Sequence, residues 1–136
     1  MASIYREFIV EVPLAFAWQA AKDFGNAHNV LAKGVVTNTI LEDNVRTVTF
    51  ANGMQGSEIL VAIDEDHHRL VYSATSERVE HHNAAMQLFG GDNNTTRIVW
   101  ITDVLPDSLQ DQLAPMVDEC IKAVIQTLQD NYRQEK

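Results

Sequence analysis

Basic residues are scarce in this chain of 136 residues: ten Lys and Arg stand against nineteen Asp and Glu, a formal charge of -9 at pH 7. A polyanion held by counterion release requires the opposite sign, so neither nucleic acid nor an anionic membrane surface is an expected partner. Long hydrophobic runs are also missing. No stretch approaches the ~20 apolar residues of a transmembrane helix, and the first strand-like segment is interrupted by Arg6, Glu7 and Glu11 where a signal-peptide core would be continuous. The expectation is a cytoplasmic protein without membrane insertion. A single cysteine, Cys120, excludes an internal disulfide and agrees with a reducing compartment. Internal repeats, linkers and low-complexity segments are absent. A chain of this length with 46% hydrophobic and 21% charged residues suits one globular domain over residues 1–136.

What is present is mostly strand. Ser3–Val12 places Ile4, Phe8, Val10 and Val12 on one parity and Glu7 and Glu11 on the other, a strand with one buried face. Pro13 suits the first turn of a helix, and Leu14, Ala17, Trp18, Ala21 and Phe24 repeat at helical spacing. Gly25 and Asn26, which tolerate left-handed dihedrals, stop that helix, and Ala27–Ala32 is a second helical turn or a loop. The texture then changes to short β-rich runs separated by turns: Val35–Leu41, Val45–Ala51, Ser57–Ile63, Arg69–Thr75, Asn83–Phe89 and Thr95–Val104. The stretch Gly90-Gly91-Asp92-Asn93-Asn94 is a turn rich in residues that accept positive φ. Pro106, Asp107 and Ser108 open the last element, in which Met116, Val117, Cys120, Ile121, Val124, Leu128 and Tyr132 form one apolar stripe of a long helix. Pro115 implies either a kink or a main helix whose first turn contains it.

One strongly amphipathic helix set against a seven-stranded antiparallel meander is an α+β arrangement that can enclose a cavity. At Pro13 with Trp18, Asp23-Phe24-Gly25, Val45-Arg46 before Asn52-Gly53, Glu58-Ile59-Leu60, Asp64, Arg69-Leu70-Val71-Tyr72 and Thr96-Arg97-Ile98-Val99-Trp100 near Pro106, the chain resembles the helix-grip, START-like or SRPBCC superfamily. Its polyketide-cyclase/dehydrase and lipid-transport branch is the part it resembles most. The resemblance covers nearly the whole chain and implies a curved sheet wrapped around the C-terminal helix, with two short helices between strands 1 and 2. Plant abscisic-acid receptors look like a distant branch, but their gate loop carries a proline where Met54-Gln55-Gly56 is shorter and has none, so gating is not carried over.

The same resemblance implies that Glu58 faces the cavity, and a carboxyl in apolar surroundings is suited to acid/base work. The alternative is a Glu58 paired on the sheet with Arg46. Tyr72, Asn83 and Trp100 are implied to line the pocket with a phenol, an amide and an indole donor, and Asn83 stands where relatives often carry tyrosine. Phe50, Leu60 and Met116 suit either cavity wall or plain core, and Cys120 and Val124 fall on the helix face that meets the sheet. Cys120 reads as a small buried hydrophobe, since no basic residue is adjacent to activate it. His28 lies in the short-helix region that often walls such pockets. His67-His68 sits in the acidic turn Asp64-Glu65-Asp66, which reads as solvated, and one ring of His81-His82 is able to edge the cavity mouth. Neither pair places two rings on one face of a strand, and no spacing suggests zinc or an EF-hand, so no metal and no cofactor is expected.

The function these residues suit first is binding of a small hydrophobic molecule, a lipid, polyketide or aromatic metabolite, by a monomer or weak homodimer. Two rivals stand beside it: a cyclase or dehydratase using Glu58 to move a proton, and an interaction module like the related Hsp90-activating co-chaperones. Fold alone does not choose among them.

Overall fold

Period-two alternation builds the larger part of the protein. The computed structural model describes residues 2–76 and 79–135, with strands β1 (Ala2–Val10), β2 (Val36–Glu42), β3 (Val45–Phe50), β4 (Gln55–Asp64), β5 (Arg69–Thr75), β6 (His81–Gly90) and β7 (Thr96–Leu105). Helices α1 (Leu14–Lys22) and α2 (Ala27–Val30) lie between β1 and β2, and a 3-10 turn at Asp107–Leu109 leads into α3 (Gln110–Gln134). The strands form one seven-stranded sheet, ordered β1-β7-β6-β5-β4-β3-β2, and every pairing is antiparallel. This is the α+β helix-grip arrangement, with short helices after the first strand and a long helix at the end.

The helix side of the sheet is read off the even-numbered residues. Leu70 and Tyr72 of β5, Ala84, Met86 and Leu88 of β6, and Ile98, Trp100, Thr102 and Val104 of β7 are buried, because alternate side chains share a face. Val124 and Leu128 of α3 pack into the same core as these strands. Each such aliphatic side chain withdrawn from water contributes about 1.5–3 kcal/mol before entropy is charged against it. A bulge between Leu60 and Ala62 of β4 interrupts the register with β5, the kind of irregularity that bends a strand and sharpens its twist.

Element ends differ from the sequence reading in instructive ways. β1 stops at Val10; Val12 is still fully buried, but the Glu11 amide donates to Gln129 Oε1 of α3 and leaves the ladder. Pro13 is the extended residue just before α1 instead of a member of its first turn. Gly25 does not take positive φ; its value is the close approach of Leu41, 3.0 Å from where a Cβ would stand. In the β6–β7 turn it is Asn93 and Asn94 that adopt positive φ, not the glycines. β4 and β6 each begin two residues earlier than expected, at Gln55 and His81. Pro115 lies inside α3, beyond its first turn, in a helix that continues through it.

The turn Asp64–His68 is not simply solvated. Glu65 accepts from the Trp18 indole at 2.7 Å and from Lys22 Nζ at 3.0 Å, and His68 meets the Trp18 ring edge-on at 5.5 Å. The β4–β5 turn thereby holds α1 against the sheet. His67 remains exposed and pairs with Asp64.

Candidate functional site

Three parallel rows of side chains cross the helix-facing side of the sheet, and the strand registers set their membership. The innermost joins Leu70, Met86 and Trp100; the next joins Leu60, Tyr72, Ala84 and Thr102. The third starts with Arg46 opposite Glu58 and Glu58 opposite Ala74, and ends at His82 opposite Val104. Between these rows and α3 lies a cavity of about 240 Å³, closed on the helix side by Met116, Val117, Cys120 and Val124 and beside α2 by Ala27, Leu31 and Ala32. Met116 is 40% exposed and so sits at the rim. A surface cleft between Asn52 and Pro115 shares Phe50, Met116 and Cys120 with the cavity wall.

The cavity's charges are internally balanced. Arg46 Nε donates to Glu58 Oε1 at 2.7 Å and Nη1 to the Phe24 carbonyl at 3.2 Å, with the two side chains only 7% and 17% exposed. The Arg46 guanidinium also covers the Phe24 ring, 3.8 Å from its centroid, and lies 5.1 Å from that of Tyr72. A charge buried this far requires such partners, since an unpaired one would be driven to neutrality or to the surface. The Glu58 carboxylate is thus the counter-ion of Arg46, the pairing that the sequence offered as the alternative to a free acid.

His82 closes a gap in the sheet. The β5–β6 backbone ladder ends at the Tyr72–Ala84 pair; beyond it the Ala74 amide donates to His82 Nδ1 at 2.9 Å and the Ser73 hydroxyl to the His82 carbonyl at 2.6 Å. With Nδ1 accepting, the neutral ring carries its proton on Nε2. Burial holds the imidazole below its usual pKa; Glu58 opposes that shift and His81 adds to it. His82 is also part of the cavity lining.

Tyr72 and Trp100 supply the remaining polarity. Burial, reinforced by the negative charge of Glu58, keeps the Tyr72 phenol protonated far above its ordinary range. The Trp100 indole N–H is close enough to favour the ionised phenol slightly, yet the two do not meet in hydrogen-bond geometry, and Trp100 Nε1 is buried without a partner. Cys120 faces the cavity as a thiol, pushed up to about 11 chiefly by burial and next by Glu58, so it is not a nucleophile at neutral pH.

Of the residues singled out from the sequence, Phe50, Glu58, Tyr72, Trp100, Met116, Cys120 and Val124 come together around the cavity. Leu60 packs against the core without lining the cavity. Asn83 does not line it: being odd-numbered, it lies on the other side of β6, opposite Asp103. His28 in α2 is also outside the lining, where the neighbouring Ala27, Leu31 and Ala32 stand instead. Its Nδ1 is buried without a partner. The residue that lines the cavity at this position is His82, one of the two adjacent rings that the sequence allowed at the cavity mouth. The signal was available, since Ala84, Met86 and Leu88 alternate with Asn83, Ala85 and Gln87 and assign the even parity, His82 included, to the apolar side. Among the described residues no group of three or more His, Cys, Asp or Glu is placed to hold a metal ion, and no helix is long and apolar enough to cross a membrane.

No protein-family model matches the chain, and no curated protein matches it. Solved structures do. The protein XoxI from Bacillus cereus is 18% identical, with 96% of this chain and 95% of that one covered at a TM-score of 0.80. A protein from Thermobifida fusca is 21% identical over 98% of this chain and 95% of its own, with a TM-score of 0.76. Truncated norcoclaurine synthase from Thalictrum flavum is 12% identical, with 91% of each chain covered and a TM-score of 0.70. Identities this low bear on architecture alone. In strand order, in the short helices after β1 and in the long helix that closes the cavity, the chain has the helix-grip fold and shares it with these solved structures.

Proposed function

We propose that the protein binds a small hydrophobic molecule in the cavity between sheet and α3. The observation that carries this reading is an apolar enclosure whose buried ion pair is already satisfied by protein groups, Arg46 by Glu58 and by the Phe24 carbonyl. Such a site gains affinity from burial of ligand surface, at about 25 cal/mol per Å², with a few polar groups to orient the ligand. Phe50, Met116, Cys120 and Val124 supply the apolar contact, and Tyr72, Trp100 and His82 the orientation. In this reading residues 1–136 act as one cytoplasmic domain.

Proton transfer by Glu58 has less support, because one carboxylate oxygen is engaged by Arg46 at 2.7 Å. An interaction-module role also has less: exposed apolar residues such as Ile9 and Val61 stand on β1 and β4, with three strands between, and do not form one patch. Native mass spectrometry of the purified protein, followed by denaturing extraction and mass identification of what is released, tests the reading. A stoichiometric apolar molecule is the expected result. Protein that carries none and takes up no hydrophobic probe would contradict it.

A further inference from the structure

The regular ladder between β5 and β6 stops at Tyr72 and Ala84. Among the described residues, two hydrogen bonds tie the strands beyond that point, and both go to His82: the Ser73 hydroxyl donates to its carbonyl at 2.6 Å, and the Ala74 amide to its Nδ1 at 2.9 Å. The first is indifferent to the state of the ring. The second is not, because an amide N–H only donates, and Nδ1 accepts from it only while that nitrogen carries no proton. A protonated imidazole has an N–H at both nitrogens, so its Nδ1–H confronts the Ala74 N–H. Proton and hydrogen bond exclude each other.

The same junction is part of the cavity, since Ala74, Thr75, Ser76 and His82 all line it. Among the described residues, the other titratable side chains on the wall are Arg46, Glu58, Tyr72 and Cys120. Arg46 of β3 and Glu58 of β4 form an ion pair, so the negative charge that the His82 ring feels from Glu58 is already committed. Tyr72 of β5, its ring centroid 6.3 Å from that of His82, is held as the phenol, and Cys120 of α3 as the thiol. Val104, opposite His82 on β7, is uncharged, and the neighbouring His81 of β6 only opposes a second positive charge. A proton on His82 therefore gives the wall its one uncompensated charge. An apolar ligand shuts water away from such a charge, which costs more than leaving it in a wet cavity.

We propose, resting on the binding reading above, that His82 couples ligand binding to protons: its neutral ring clasps Ala74 and keeps the cavity wall without net charge, and protonation breaks that bond and weakens the hold on an apolar ligand. By linkage the bound ligand in turn drives the proton off His82. Ligand is held at neutral pH and given up as the pH falls through the histidine range.

NMR of the full chain, with 2-ethylnaphthalene as an apolar probe that has no titrating group, tests this across roughly pH 5–7.5, where histidine changes charge. Without probe, the Ala74 amide proton should move upfield as the pH falls, with the same midpoint as the His82 ring, while the amide of Ile98 in the β6–β7 ladder stays in place. Saturating probe should move that midpoint to lower pH, and its dissociation constant should rise about fivefold or more from the neutral to the acid end of the range, the lower end of ordinary coupling between two sites. In His82→Asn, whose amide oxygen accepts from Ala74 and does not titrate, the affinity for the probe should not change with pH. The other readouts use the parent chain, so poor folding of the variant leaves the test intact. An Ala74 signal that stands still while His82 titrates, or a His82 ring that stays neutral throughout the range, overturns the inference. Equal affinity for the probe at both ends overturns the coupling and leaves the binding reading standing. Probe bound at neither end overturns the binding reading, and this inference with it.

Discussion

Arg46 and Glu58 form a charged pair in a wall that is otherwise mostly apolar, so each depends on the other more than a surface pair would. Glu58→Gln leaves the guanidinium buried beside a neutral amide and should destabilise the fold by about 3 kcal/mol in urea unfolding. The joint replacement Arg46→Met with Glu58→Leu removes both charges and should cost distinctly less; the reverse ranking would show that the pair is not acting as a buried couple. His82 makes a second residue-scale prediction. Burial lowers its pKa in the folded protein, so below about pH 6.5 the unfolded chain binds the proton more readily than the native one. Stability is therefore full above that pH, declines as pH falls through the window and levels off below the native pKa. In His82→Asn the amide oxygen can still accept from Ala74 but does not titrate, so thermal melts across pH 4.5–7.5, roughly the histidine range, should lose this part of the slope. A slope identical to the parent's would remove His82 from the account. The Arg46–Glu58 pair was legible in the sequence as two opposite charges on neighbouring strands, whereas His82 was legible only as one of two adjacent rings at the cavity mouth, because Asn83 was assigned by resemblance and not by the alternation of its own strand.

At the scale of elements, strands were the readable part, because alternation reports burial directly and turns carry Asp, Asn and Gly between them. Ends were less readable where tertiary contacts decide them: β6 starts at His81, yet its first residues are tied to β5 by the His82 ring and the Ser73 hydroxyl and not by a regular ladder. The docking of the β4–β5 turn onto α1 through Glu65 was invisible for the same reason, since an acidic turn has the same composition whether or not an indole and an ammonium lie above it. Pro115 is a helix-scale oddity. It cannot donate to the Asp111 carbonyl four residues earlier, so α3 lacks that bond beside the cleft that borders the cavity wall. Pro115→Ala should restore it and raise stability by about 1 kcal/mol, the lost rigidity of the unfolded chain offsetting part of a larger gain. An unchanged or lowered melting temperature would mean that the backbone there has adapted to the proline.

For the whole molecule, element order and amphipathicity together pointed to a long helix gripped by a curved meander, and the structure has that architecture. The existence of a cavity followed from the same order, but its chemistry did not, because partners such as the Phe24 carbonyl for Arg46 and the Ala74 amide for His82 are set by registers that no local pattern specifies. The account's central claim is that this enclosure takes up an apolar molecule. Val124, fully buried on α3 and lining the cavity, gives the means to block it. The measurement is a methyl-resolved NMR titration of the parent and Val124→Trp with 2-ethylnaphthalene, after circular dichroism has established that the variant keeps the parent's fold. The parent should show saturable shifts confined to cavity methyls such as those of Val48, Leu70, Met86 and Val117, and the variant should show none. Shifts spread over the outer face of the sheet, or uptake undiminished by the added indole, would contradict the claim.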